Sequence, residues 1–187
     1  VKQALRKAAR ARRAAFVASL PAETLAHLTR AANGHVIDRL GDSRVVAGYV
    51  AMGGEIDPLG ALVEATARGV AVALPRIEDP AGPMRFLRWT PGEFLEAGPL
   101  GVRQPAADAA EIRPDLILTP LVAFDRALAR LGQGAAFYDR AFAVLPEARR
   151  IGLAWAVQEV DGLPTEAWDI PLHAIATEQE WICSPPK

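Results

Sequence analysis

Short apolar runs alternate along this chain with stretches of helical periodicity, and that alternation predicts the fold. Residues 2–18 are rich in Ala, Lys and Arg and hold no Gly or Pro, which favours a helix. In the next segment Leu25, Leu28 and Ala32 give one apolar side. That helix should start around Ser19-Leu20-Pro21 and stop at Asn33-Gly34. An apolar strand over 45–50 runs into AMGGEIDP, where Gly53-Gly54 make a permissive turn and Asp57-Pro58 opens a helix over 59–68, closed by Gly69. A second strand follows at 70–74. Strand, helix and strand at these lengths form a βαβ unit, with parallel strands and a right-handed crossover. Residues 76–115 hold many Pro and Gly, with an antiparallel strand expected at 84–89. Strands at 115–119 and 151–156, a helix ending near Leu145 and a last strand at 174–177 complete the pattern. It predicts a single three-layer α/β domain over residues 1–187, with a mostly parallel central sheet.

Composition narrows the class. A chain of 187 residues that is 51% hydrophobic can bury a full core. Its net charge of −1 hides an asymmetry, because six of the 21 basic residues and none of the 22 acids fall in the first 22 positions. Removing those six leaves 15 bases against 22 acids, so the remainder sits near −7. A nucleic-acid binder would be basic over a whole face, so none is expected as a partner. Cys183 is the one cysteine, and no zinc-ligand spacing is present. No apolar run approaches the roughly 20 residues of a membrane span. The expectation is a soluble, cytoplasmic, monomeric protein.

The candidate chemistry gathers in RLGQGAAFYDR, Arg130 to Arg140. An apolar strand precedes it and a helical stretch follows, so backbone N–H groups and a positive helix end are offered to an anion. Arg130 adds a cation, and Asp139 a carboxylate able to hold a metal beside that anion. Asp125 and Arg140 crowd the same strand end. The loop matches neither GxxxxGK[ST] nor GxGxxG, since Phe137 stands at the third glycine. By itself it is equally compatible with a plain turn. Lys2, Arg6, Arg10 and Arg13 recur at four, four and three residues and share a helix face, which is either simply solvated or brings Lys2 and Arg6 to a phosphate chain. Glu55 lies beyond a strand's carboxyl end, where open α/β sheets place ligands, and is either a loop carboxylate or a ligand contact. Trp89 and Phe94 could flank a planar ligand or pack ordinarily.

Six segments in order carry a resemblance. KxxLR at Lys2 to Arg6, YVAMGGEID, Leu74-Pro75, LGVRQP at Leu100 to Pro105, FD followed by RLGxGxxxYDR, and DIPLHAIATE at Asp169 to Glu178 together resemble the 5-formyltetrahydrofolate cyclo-ligase (methenyltetrahydrofolate synthetase) family nearly end to end. The resemblance implies an ATP- and Mg²⁺-dependent conversion of 5-formyltetrahydrofolate to 5,10-methenyltetrahydrofolate, releasing ADP and phosphate. Carried over by position, it implies that Lys2, Arg6 and the run Arg130, Leu131, Gly132, Gln133, Gly134, Ala135, Ala136, Phe137 and Tyr138 bind ATP, with Arg130 catalytic. It implies Val50 and Glu55 as folate contacts, and Asp139 and Asp169 as the Mg²⁺-associated carboxylates.

Departures from the family pattern leave alternatives. Ala136 stands at the loop's last glycine, Leu128 at another common glycine, and Leu100 where an aromatic usually begins the turn. Trp168 replaces a polar residue and His173 an acid. A non-catalytic folate- or nucleotide-binding homologue, or an ATP-dependent ligase acting on another formyl or amide compound, therefore stands beside the leading reading.

Overall fold

Parallel pairing at the centre follows from strands that are apolar on both faces, because such strands need a helical layer on each side. The computed structural model describes residues 1–184. Two helices come first, α1 (Lys2–Ser19) and α2 (Ala22–Ile37). The strand β1 (Val45–Ala47), helix α3 (Leu59–Ala67) and strand β2 (Ala71–Arg76) form the expected parallel βαβ unit. The strand β3 (Arg85–Arg88) returns antiparallel along β2. A small hairpin, β4 (Glu96–Ala97) with β5 (Arg103–Gln104), stands apart from the main sheet. The chain continues through β6 (Leu116–Pro120), a second hairpin of β7 (Ala123–Phe124) and β8 (Arg130–Leu131), α4 (Phe137–Val144), β9 (Arg149–Leu153), β10 (Ala174–Ala176) and β11 (Trp181–Cys183).

The main sheet runs β11-β10-β9-β6-β1-β2-β3, with five parallel strands bounded by an antiparallel strand at each edge. Alternation along the strands divides the core. Val46, Leu74, Leu116 and Leu118 pack with Ala32 and Val36 of α2 and Ala61, Leu62 and Ala65 of α3. Ala47, Ala73, Ile117 and Ile175 pack on the opposite face with Ala141 and Phe142 of α4. Helix α1 crosses the end of this assembly, setting Leu5 and Ala9 against Val122, Ala123 and Leu131 of the second hairpin. No helix among the described residues is long and apolar enough to cross a membrane.

The structure departs from the sequence reading at several boundaries. Helix α2 runs through Asn33-Gly34 to Ile37. Asn33 is buried because its side chain caps a different helix: Oδ1 accepts from Ala61 N–H at 2.9 Å, and Nδ2 donates to Thr29 O and Asp57 O. Ser19 belongs to α1 and bonds back to Phe16 O, leaving Pro21 as the cap of α2. Strand β1 ends at Ala47, three residues early, since the chain turns out toward Gly53. The β7–β8 hairpin and β11 were absent from the sequence reading, being only two or three residues per strand.

Asn33→Ala should therefore leave the Ala61 N–H and Asp57 C=O without their buried partner. A buried unsatisfied group costs about 1–3 kcal/mol; Ala61 is buried while Asp57 is exposed and its carbonyl can turn to water, so a loss of about 1–3 kcal/mol is expected. It would be read as a lower urea midpoint with unchanged slope.

Candidate functional site

The carboxyl ends of β1 and β6, helix α1 and the loop before α4 enclose a cavity of about 800 Å³. Every site residue named from the sequence lines it: Lys2, Arg6, Val50, Glu55, the continuous run from Arg130 to Asp139, and Asp169. Trp89 and Phe94 do not line it; Trp89 is buried with its indole N–H on Glu93 O, while Phe94 is exposed under the Arg103 guanidinium.

The loop is shaped by its anchor points. Arg130 and Leu131 sit in β8, so the hairpin delivers the chain to the cavity before the small-residue turn begins. Gly134 has φ 111° and Ala136 has φ 54°. Ala136 is thus a left-handed N-cap of α4, and the first turn of that helix, Phe137 to Asp139, lines the cavity. From below, Arg6 Nε donates to Gly132 O at 2.9 Å, and Arg10 donates to both the carbonyl and the side-chain oxygen of Gln133. A Cβ on Gly134 would meet the Arg6 guanidinium only at an ordinary 3.5 Å, so it is the positive φ that favours the glycine here.

Arg130 is 5% exposed and donates from Nη2 to Asp139 Oδ1 at 2.6 Å. Its plane faces Phe142, with Cζ 5.0 Å from the ring centre. Its Nε is buried without a partner, a donor that an anion in the cavity would satisfy. Asp139 also accepts from Ile170 N–H at 3.4 Å, which brings the Asp169 segment alongside α4. Asp169 Oδ2 accepts from Lys2 Nζ at 2.7 Å and from Glu166 N–H at 2.8 Å. Burial raises the Asp169 carboxyl, but the Lys2 hydrogen bond, the Glu166 N–H and the nearby cations outweigh it and hold the group below its ordinary value.

The opposite wall holds Glu55. Its turn is pinned by two aromatic polar tips: the Tyr49 hydroxyl donates to Ile56 O at 2.6 Å and the Trp155 indole to Gly54 O at 2.9 Å. The Glu55 side chain is 7% exposed. Oε2 accepts from Met52 N–H at 3.0 Å and Oε1 from Gln133 Nε2 at 3.1 Å, so the loop and the carboxylate touch across the cavity. Burial lifts the Glu55 carboxyl above its ordinary 4.5, while Met52 N–H, Arg13 and Gln133 pull it back. Folding thus raises this group's proton affinity, and its contribution to stability declines as pH rises from 4.5 through the raised value.

Two charges that the sequence placed with the loop lie elsewhere. Asp125 is buried in the β7–β8 turn, where Oδ1 accepts from Ala127 and Ala129 N–H and Oδ2 from Leu163 N–H. Arg140 leans outward onto Phe137 and donates to Gly82 O and Pro80 O. Other cavity residues received no role from the sequence. Arg10 and Arg13 had been recognised only as sharing a face with Lys2 and Arg6. Met84, Ile77, Leu100 and Trp168 supply much of the apolar wall.

Comparison with known proteins follows the same outline. A family model described as the 5-formyltetrahydrofolate cyclo-ligase family matches residues 1–178. The 5-formyltetrahydrofolate cyclo-ligase of Escherichia coli K12 is 34% identical over 149 residues, covering 74% of this chain and 82% of that protein. The enzyme of the same name from Mycolicibacterium smegmatis is 33% identical over 148 residues, covering 74% and 76%. The solved structure of Aquifex aeolicus 5,10-methenyltetrahydrofolate synthetase superposes with a TM-score of 0.81 at 27% identity, over 97% of this chain and 92% of that one.

Ala136 holds a conformation that opposes its Cβ, at a cost of about 1–2 kcal/mol. Ala136→Gly should raise stability by about 0.5–1 kcal/mol after the added freedom of the unfolded chain is discounted. A higher urea midpoint with an unchanged slope would record it.

Proposed function

The chain belongs to the 5-formyltetrahydrofolate cyclo-ligase family, and on that premise we propose that it converts 5-formyltetrahydrofolate to 5,10-methenyltetrahydrofolate at the expense of ATP, with Mg²⁺. The observation that carries this reading is the meeting of the anion loop and Glu55 in one cavity, with Gln133 spanning them at 3.1 Å. The reaction demands such proximity, because one phosphoryl group must travel from nucleotide to folate.

A formamide oxygen is a poor leaving group. In the proposed sequence it attacks the γ-phosphorus and ADP departs, leaving the formyl oxygen phosphorylated and the formyl carbon electrophilic. The N10 lone pair then attacks that carbon, the C–O bond breaks, and phosphate leaves while N10 loses its proton. Neither step needs a nucleophile from the protein. Both need alignment and charge neutralisation. Loop N–H groups and the start of α4 would hold the phosphates. Arg130, fixed by Asp139 and with Nε unpartnered, would take charge that develops on the transferring group. Lys2 and Arg6 would flank the nucleotide from α1. Glu55 is an acceptor for pterin N–H groups, with Val50 against the ring.

Asp139 and Asp169 fit Mg²⁺ by the chemistry of their donors. They are hard oxygen ligands on adjoining segments, and their hydrogen bonds to the described residues fall on one oxygen of each. Among the described residues no cluster of three or more His, Cys, Asp or Glu forms a protein cage. One or two carboxylates completed by phosphate oxygens and water is how Mg²⁺ is held beside nucleotides. The ion would supply charge neutralisation on the phosphates.

Incubation with ATP, Mg²⁺ and 5-formyltetrahydrofolate should produce the near-ultraviolet absorbance of the methenyl product, and chelating the metal should stop it. No absorbance change at any enzyme concentration would sink the reading. Arg130→Ala should lower kcat by about 10²–10³-fold with little change in folate affinity. An unchanged kcat would remove Arg130 from the chemistry.

A further inference from the structure

Arg13 is the buried cation that this reaction scheme leaves unused. It projects from α1 into the cavity wall at 4% exposure, one turn beyond Arg10. As a structural fastener it is poorly served. Nη1 reaches Leu121 O at 3.3 Å, and Nε is buried with no hydrogen-bond partner among the described residues. A Leu or Met could fill the same space without the desolvation of a guanidinium. Its opposite charge is Glu55, whose Oε1 lies 3.8 Å from Nη1, both side chains being nearly inaccessible. The guanidinium also lies beneath the Gly53 turn that carries Glu55: a Cβ at Gly53 would sit 3.6 Å from Nη2.

We propose that Arg13 is a positioning residue for the folate substrate, acting through Glu55: it keeps that carboxylate charged and turned into the cavity, where it accepts from pterin N–H groups. The inference rests on the folate reading given above. A neutral carboxyl would bring an O–H donor against the donors of the pterin edge and lose one acceptor, so the charge state of Glu55 is a binding determinant. The groups facing Glu55 are few. Arg13 approaches from α1, with Arg10 adjacent on the same helix. Tyr49 stands on the segment after β1 and Tyr138 on α4, while Gln133 and Met52 N–H supply neutral hydrogen bonds; Asp57, beyond the turn, bears on Tyr49. Burial and neighbouring acidic groups hold both phenols protonated, the largest effect being burial. Arg13 is therefore the cation that offsets the burial of Glu55 from within the wall.

The test follows the Glu55 carboxyl carbon by NMR in protein labelled at glutamate, its resonance identified by its loss in Glu55→Gln. In Arg13→Met the titration midpoint should rise by about one pH unit or more, whereas Arg13→Lys should stay near wild type. With activity measured in parallel, Arg13→Met should raise the KM for 5-formyltetrahydrofolate about tenfold at pH 7, with kcat and the KM for ATP nearly unchanged. That folate KM should improve as pH rises. In the Glu55→Gln background the same change should have little further effect. Should Arg13→Met fail to fold, Arg13→Gln reads the same titration, and the acid limb of the wild-type folate KM must coincide with the Glu55 midpoint. An unmoved midpoint, or equal rises in the KM for folate and for ATP, overturns the inference. Wild-type protein that never closes the folate ring overturns the parent reading, and the substrate role of Arg13 with it. Normal turnover with an unmoved Glu55 titration overturns the role of Arg13 alone.

Discussion

The site depends on one helix presenting its cations to a loop from another part of the chain. Arg6 and Arg10 of α1 hold the carbonyls of Gly132 and Gln133, and Lys2 holds Asp169. The loop itself is exposed and short of bulky side chains, so it has little packing of its own to fix its shape. Its Gly132 and Gln133 carbonyls are drawn toward α1, and the whole loop lines the cavity. The cations of α1 thus organise the loop's peptide dipoles, and the hydrophobic contact of Leu5 and Ala9 with the second hairpin keeps the helix in place. Isolated surface pairs contribute little, and the Arg10 bonds are exposed, but the Arg6 bond to Gly132 and the Lys2 bond to Asp169 are partly buried.

Much of the architecture was legible because long-range packing agreed with local pattern. The βαβ unit over β1, α3 and β2, the antiparallel return of β3 and the helix after the loop all appear close to where periodicity puts them. The failures have a common origin. Asn33-Gly34 carries an ordinary stop signal, yet Asn33 is held inside α2 because its amide completes the hydrogen bonding of α3. Strands of two residues, such as β7 and β8, exist only through their partner and leave no period to detect. Within the candidate site, the shared face of Lys2, Arg6, Arg10 and Arg13 was visible in spacing. What each cation meets was not, because Gly132, Gln133, Leu121 and Glu55 are remote in sequence. Asp125 and Arg140 show the converse, since adjacency in sequence to the loop put neither into the cavity.

Among the described residues three that are not glycine adopt positive φ: Leu100, Leu128 and Ala136. Leu128 shows how such strain persists. Its side chain is buried at 4% exposure, its N–H bonds to Asp125 O, and its carbonyl accepts from Leu172 N–H, so the turn is fixed from several directions. Ala136 is fixed by joining the loop to α4.

The contacts of α1 also carry a consequence for the order of events in synthesis. Lys2 and Asp169 are separated by 167 positions, and Arg6 and Gly132 by 126. At translation rates of about 5–20 residues per second, Lys2 waits on the order of 10–30 s after leaving the ribosome before Asp169 follows it. Through that interval α1 is a basic, amphipathic segment without its acidic partner, and the cavity has only one of its walls. The ligand-binding geometry is therefore a late product of chain closure, completed after the parallel strands that support it have been made.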